Sequence, residues 1–251
     1  MEIILCGGGT ELARAAADVI KSQLDKKPDS VIGFATGSTP LGMYKRLAEL
    51  YKNGEIDFSR AVSFNLDEYY PIKSSDSRSY HKFMYDNLFR HININHSNIH
   101  IPDGETDDPE RECAEYERKI EAAGEIDIQI LGLGRNGHIG FNEPAPELYA
   151  KTHLTELSHD TIEANSRFFE NESCVPRHAL TMGMASILRA KRILLLASGA
   201  GKREAISSLL SPYVTTQSPV TMLKLRRGVT LVCDNKAYPG EYKNDGGDKR
   251  L

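Results

Sequence analysis

The chain has 251 residues, 40% of them hydrophobic and 26% charged, which excludes a disordered, collagen-like or coiled-coil protein. A formal net charge of -4 at pH 7 argues against a general nucleic-acid binder, which would carry a basic excess. The length suits one large domain or two small ones and suffices to bury a substantial core.

Strand-like and helix-like segments alternate along the chain. Ile3–Cys6 is a short apolar run ended by Gly7-Gly8-Gly9, and Leu12, Ala16, Val19 and Ile20 then recur at helical spacing. Val31–Ala35 reads as a buried strand, followed by a helix carrying Leu41, Tyr44, Leu47 and Leu50 on one face. Ala61–Asn65 is strand-like, a helix surrounds Phe83–Phe89, and Ile99–Ile101 is a short strand. Cys113, Tyr116 and Ile120 mark the next helix, and Ile126–Leu131 the next strand. Ile193–Ala197 is a strand before a helix with Ala205, Ile206, Leu209 and Leu210, and Val229–Cys233 is the last strand. This alternation predicts an α/β fold, a single-domain, Rossmann-like three-layer α/β/α arrangement with a mainly parallel central sheet. No internal repeat or linker divides it, so 1–251 is expected to be one domain. Residues 151–174 are polar without a clear period and are expected to form a mobile lid.

Several functions are disfavoured by what the residues do not spell. Cys6, Cys113, Cys174 and Cys233 are scattered with no CxxC pair, which predicts reduced thiols rather than a zinc site or disulfide framework. The N-terminal apolar run is too short for a signal peptide and lacks a basic start. No stretch approaches the roughly 20 apolar residues of a membrane span. The expected location is cytoplasmic. No histidine spacing supports a metal, and none is assigned.

In parallel sheets, ligands bind beyond the carboxyl ends of the strands. Four post-strand loops meet that condition: Thr36–Pro40, Leu66–Tyr70, Gly132–Glu143 and Ser198–Lys202. In the first, Thr39 suits an N-cap and Pro40 the first helical position. Gly37 would let the backbone approach a ligand, and Ser38, Thr39 and free helix N–H groups would face one point, as a phosphate needs. A well-capped helix start alone would look the same. The sequence Gly132-Leu133-Gly134-Arg135-Asn136-Gly137 spells GxGxxG after a strand. A dinucleotide site would need a helix there, and Gly140 and Pro144 make one improbable, so a tight ligand-facing loop is expected. Within it His138 and Glu143 form a candidate acid–base pair. Asp67 and Glu68 could supply a base and a hydroxyl-binding group, or form a solvated turn. Lys202 and Arg167 could neutralise a phosphate dianion, or be surface charges.

Six segments in one order resemble the glucosamine-6-phosphate deaminases, also called glucosamine-6-phosphate isomerases. They are GFATGSTPLGMY at 33–44, SFNLDEYY at 63–70, SYHKFM at 79–84, LGLGRNGHIGFNEPA at 131–145, SHDTIEANSRFF at 158–169 and SGAGK at 198–202. The resemblance implies conversion of glucosamine 6-phosphate and water to fructose 6-phosphate and ammonia in amino-sugar catabolism, with no cofactor. It implies that Ser38, Thr39, Arg167 and Lys202 hold the phosphate, with access given by Gly37, and that Gly137 lies in the substrate loop. His138, tuned by Glu143 and Asn136, would assist ring opening, and Asp67 would carry the C2 proton to C1. Glu68 and Tyr80 would face the sugar or support it from behind. A 6-phosphogluconolactonase-like hydrolase, an isomerase that does not deaminate or acts on another amino-sugar phosphate, and a non-catalytic sugar-phosphate sensor are the alternatives. Asp67, Glu143 and the FNEP continuation weigh against the lactonase.

Two departures from the family pattern stand out. Many members have Asp where this chain has Asn136, which hydrogen-bonds but does not ionise near neutral pH. Pro146, His153 and Thr155 stand where allosteric members bind an effector sugar phosphate, and the chain ends early. The expected partners are the small-molecule substrate alone, with no nucleic acid and no membrane. A monomer or small homo-oligomer is expected rather than an allosteric hexamer.

Overall fold

Continuous apolar runs build the centre of the molecule. The computed structural model describes residues 1–166, 169, 171 and 174–240, apart from the side chains of residues 160, 164 and 165. Its elements are β1 (Glu2–Cys6), α1 (Gly9–Lys26), β2 (Val31–Phe34), α2 (Leu41–Lys52), β3 (Val62–Asn65), β4 (Asp67–Tyr70), α3 (Tyr80–Asn87), β5 (Ile99–His100), α4 (Pro109–Ala122), β6 (Ile128–Gly132), β7 (His153–Glu156), α5 (His159–Ser166), β8 (His178–Thr181), α6 (Met184–Arg189), β9 (Arg192–Ala197), α7 (Arg203–Leu210) and β10 (Val229–Asp234). Seven strands form one parallel sheet in the order β1-β10-β9-β6-β2-β3-β5.

Alternate residues of these strands feed two apolar layers. Val31, Ala35, Leu131, Ile193, Leu195 and Leu231 pack with Tyr116 of α4, Ile187 of α6 and Ile206 of α7. Ile32, Phe34, Ile128, Ile130, Leu194 and Val232 face the other way, against Leu12 and Ile20 of α1, Leu47 of α2 and Met84 of α3. Strands apolar on both sides are what a sheet covered by helices on both faces requires. The expected α/β/α arrangement is therefore observed.

Two local readings differ from the structure, and a third gains detail. The sequence places Thr39 at the cap of α2 and Pro40 inside it. Instead α2 begins at Leu41, Pro40 holds the cap position at φ -79° and ψ -10°, and no side chain caps it. The proline ring fixes φ in the helical range, and Pro40 is already helical in ψ, so the turn winds into the helix without Thr39. Leu66–Tyr70, read as a loop, contains β4, which pairs antiparallel with β8 in a second sheet ordered β4-β8-β7. Its residues are Asp-Glu-Tyr-Tyr, so polarity hides the strand. The segment 151–174 contains β7 and α5, giving the first half of the expected lid regular structure.

Glu117 ties that region to the main sheet's helices. It is 3% exposed and accepts hydrogen bonds from Thr152 N (2.9 Å), Thr152 Oγ1 (2.6 Å), Ser186 Oγ and Arg189 (2.8 Å). Burial would raise its pKa, and these donors with the Arg189 charge outweigh it and lower it. Glu117→Ala leaves several buried donors unmatched, and urea unfolding is expected to show a loss of about 3 kcal/mol. A loss below about 1 kcal/mol would show that this junction relaxes freely.

Candidate active site

Chain direction locates the site. From β2 the chain crosses to β3 by way of α2, which packs in the second apolar layer. From β9 it crosses to β10, on the opposite side of β6, by way of α7 in the first layer. Right-handed crossovers running in opposite directions must use opposite faces of the sheet. The adjacent strands β2 and β6 therefore flank a crevice beyond their carboxyl ends, where ligands of such sheets bind. The loops after β2, β6 and β9 and the strand β4 after β3 all reach this end.

The chain after β6 makes a compact loop and not a helix. The ring of His138 lies so close over Gly134 that a Cβ there would meet it at 2.4 Å. Gly137 adopts φ +86°, and a Cβ would lie 2.5 Å from Ser218 Oγ, so both conformation and space demand glycine. His138 Nδ1 lies 3.2 Å from Glu143 Oε2, at ion-pair distance but without the alignment of a hydrogen bond. Asn136 donates to the same oxygen (2.8 Å) and accepts from His138 N (3.1 Å). The other oxygen, Oε1, accepts from Ser158 Oγ (3.0 Å) and Thr161 Oγ1 (2.6 Å). Burial opposes ionisation of Glu143, but the adjacent His138 imidazole, with hydrogen bonds from Thr161 and Asn136, prevails and lowers its pKa to about 2. The loop thus presents an imidazole backed by a fixed carboxylate.

Asp67 and Glu68 begin β4 and are 6% and 2% exposed. Burial, aided by the neighbouring Glu68, pushes Asp67 up to about 8. Burial also pushes Glu68 up to about 7, although it accepts from Tyr69 N (2.9 Å), Tyr80 N (2.8 Å) and His81 N (2.8 Å). Of the two places expected for Glu68, facing the sugar or supporting it from behind, its oxygens take a supporting one at the N-terminus of α3. That bond places Tyr80, whose ring stacks on Phe141 at 6.2 Å and whose hydroxyl meets the Thr36 side chain. Thr181 lies opposite Asp67 on β8, and its Oγ1 accepts from Phe141 N (3.2 Å). Asp67 and the His138 loop are therefore joined through Thr181.

Gly37 (φ +103°) and Ser38 are exposed and Thr39 half-buried, at the exit of β2. Lys202 is half-buried in the 3-10 turn Ala200–Lys202 after β9, and burial, with the Arg135 charge, lowers its pKa. Asp234 anchors that turn by accepting from Ser198 Oγ (2.6 Å) and Gly199 N (3.1 Å). Arg167 lies outside the described residues. Among the described residues no group of three His, Cys, Asp or Glu side chains is placed to hold a metal, and no helix is long and apolar enough to cross a membrane.

Residues 9–232 match the family described as glucosamine-6-phosphate isomerases/6-phosphogluconolactonase. The chain belongs to this family. It is 52% identical to a glucosamine-6-phosphate deaminase of Thermoanaerobacter sp. (strain X514) over 237 residues, 94% of each chain. The same identity holds with a glucosamine-6-phosphate deaminase of Halothermothrix orenii, covering 94% of this chain and 98% of that one. A solved structure of a monomeric glucosamine-6-phosphate deaminase superposes with a TM-score of 0.92 at 43% identity, covering 94% of this chain and 98% of that chain. A 6-phosphogluconolactonase from Trypanosoma cruzi gives a TM-score of 0.75 at 21% identity, a likeness of fold alone.

Sequence reasoning did not single out Ser158, Thr161 or Arg135. Ser158 and Thr161 had a signal, because Ser158 at the start of α5 also accepts from Thr161 N (3.2 Å), an N-cap arrangement. The raised Asp67 has a consequence for stability. Its folded pKa of about 8 exceeds the ordinary 3.8, so the native state holds the extra proton between those values. The stability contribution is full below the ordinary value and is lost as pH rises toward about 8. Asp67→Asn removes this loss, so its Tm is expected to exceed that of the parent by a margin growing from pH 5 to pH 8. A constant or shrinking margin would show that the buried carboxyl is not held protonated.

Proposed function

We propose that the chain converts glucosamine 6-phosphate and water to fructose 6-phosphate and ammonia. The observation that carries this reading is a buried carboxyl, Asp67, to which no described residue donates a hydrogen bond, at the same sheet end as the Asn136–His138–Glu143 network. The identity of 52% with glucosamine-6-phosphate deaminases supports it.

His138 moves the proton that opens the sugar ring, with Glu143 stabilising the imidazolium and Asn136 holding Glu143 in place. The substrate ammonium at C2, brought beside Asp67, favours its carboxylate form. Asp67 then removes the C2 proton, giving an enolamine, and returns it to C1. The product is an imine at C2, to which water adds before ammonia leaves. A carboxylate is a weak base for a carbon acid, so placement must supply much of the rate. Ser38, Thr39, Arg167 and Lys202, with backbone access at Gly37, bind the phosphate and provide that placement. Tyr80 and Phe141 wall the sugar site, and Gly137 gives the loop its close turn. The segment 151–174 acts as the lid, and α5 couples its closure to Glu143 through Ser158 and Thr161.

The test measures ammonia and fructose 6-phosphate released from glucosamine 6-phosphate. Asp67→Asn is expected to lower kcat by about 10²–10⁴-fold with little change in KM. A variant within tenfold of the parent would overturn the proton-shuttle role. A protein that binds the substrate without releasing ammonia would be a sensor. We further propose a monomer without effector response, supported by the solved relative described as monomeric. Light scattering should then give a mass near 27.9 kDa, and velocity should be hyperbolic with or without N-acetylglucosamine 6-phosphate. A hexameric mass or sigmoidal curve would overturn it.

A further inference from the structure

We propose that Arg135 is a phosphate-binding residue of this site, meeting the substrate dianion together with Lys202. The proposal rests on the deaminase reading of the same crevice and extends it. Arg135 follows Gly134 at the exit of β6, which lies between β2 and β9. The loop with Ser38 and Thr39 leaves one of these neighbours and the turn with Lys202 leaves the other. A side-chain carbon at Gly201 would lie 3.6 Å from Arg135 Nε, so the guanidinium arm runs along the Lys202 turn.

Among the described residues, three other pairs of cations each share an acid. Lys27 and Lys191 meet Asp127 at 2.6 and 2.9 Å. Lys82 and Arg90 meet Asp86 at 3.0 and 3.2 Å, and Arg111 and Arg118 meet Glu115 at 2.9 and 3.7 Å. Arg135 and Lys202 converge, yet among the described residues neither forms an ion pair with a carboxylate. Lys202 is half-buried, so water screens this repulsion less than on an open surface. The nearest acid at the turn, Asp234, is engaged by Ser198, Gly199 and Ala237. A doubly charged oxyanion matches two such donors, and the planar guanidinium suits it in a bidentate way. Arg135 therefore distinguishes phosphorylated sugars from free ones.

Inorganic phosphate is the probe for direct binding by calorimetry, and glucosamine 6-phosphate the substrate for kinetics. Arg135→Ala is expected to weaken phosphate binding by about tenfold to a hundredfold and to raise KM by a similar factor, exceeding any fall in kcat. Arg135→Lys should recover part of the binding. Arg118→Ala, an exposed arginine paired with Glu115, serves as the control and should bind phosphate like the parent. Arg135 is exposed, and an unchanged Tm would confirm that the variant is folded. Phosphate binding and KM within twofold of the parent would overturn the proposal, as would a fall in kcat with phosphate binding retained. If the parent releases no ammonia but loses phosphate affinity on Arg135→Ala, the residue assignment stands and the deaminase reading falls. A parent that binds no phosphate would overturn both the site and Arg135's place in it.

Discussion

The divergence of β2 and β6 is the constraint on which the rest of the structure depends. Two hydrogen-bonded parallel strands send the chain away in opposite directions, and handedness then forces the covering helices onto opposite faces. Such a divergence marks the carboxyl ends of the pair as the place where sheets of this kind bind ligands. Every chemically useful group described here enters at or beside that place: Ser38 and Thr39 from β2, His138 and Glu143 from β6, Lys202 from β9. Asp67 arrives differently. It belongs to the small antiparallel sheet, whose β8 partner Thr181 also fixes Phe141 N. The second sheet therefore sets Asp67 in register with the His138 loop.

Burial alone does not decide the charge of the acids around this crevice. Glu117, Glu143, Glu68 and Asp67 are all withdrawn from water, and in each case burial is the largest influence opposing ionisation. Glu117 and Glu143 overcome it because cations and hydroxyl donors converge on their oxygens. Glu68 has three backbone N–H donors but no cation, and remains raised. Asp67 has neither and rises furthest. The order follows the partners, and it divides the site physically. A carboxylate held ionised backs the imidazole, while the Asp67 carboxyl is held toward its protonated form.

Much of the frame was legible in sequence because VIGFA, IDIQIL, ILLLA and VTLVC are buried on both sides and show it as unbroken apolar runs. The same logic fails for β4 and β7, whose residues are Asp-Glu-Tyr-Tyr and His-Leu-Thr-Glu. Their pairing is set by a partner strand over a hundred or about twenty residues away, and no local pattern records it. The start of α2 was misread because Thr and Pro fit a cap by type, whereas proline's fixed dihedral made the cap unnecessary. At the site, His138, Asn136 and Glu143 were legible because glycines on either side allow only a tight loop. Arg135 sits in the same run but was masked by the GxGxxG spelling, in which it counts as a filler position. Its meaning comes from Gly201, which the chain brings beside it only after folding.

Asn136 shows how a departure from an expected residue type can be read from geometry. Its amide has one end facing Glu143 Oε2 and the other facing His138 N. A carboxylate must receive a donor and a backbone N–H must meet an acceptor, so only one orientation of the amide satisfies both. An aspartate at this position could serve His138 N equally well. Its second oxygen, however, would lie 2.8 Å from an oxygen of Glu143, whose environment already holds it ionised. Like charges at that separation disfavour each other, and one of the two would tend to bind a proton. The neutral amide avoids the conflict and leaves Glu143 as the charged partner of the imidazole. An aspartate with a similar role would need its second oxygen turned away from Glu143. The asparagine is therefore consistent with the other contacts of its loop, because Ser158 and Thr161 occupy the remaining oxygen of Glu143 and leave Oε2 for His138 and Asn136.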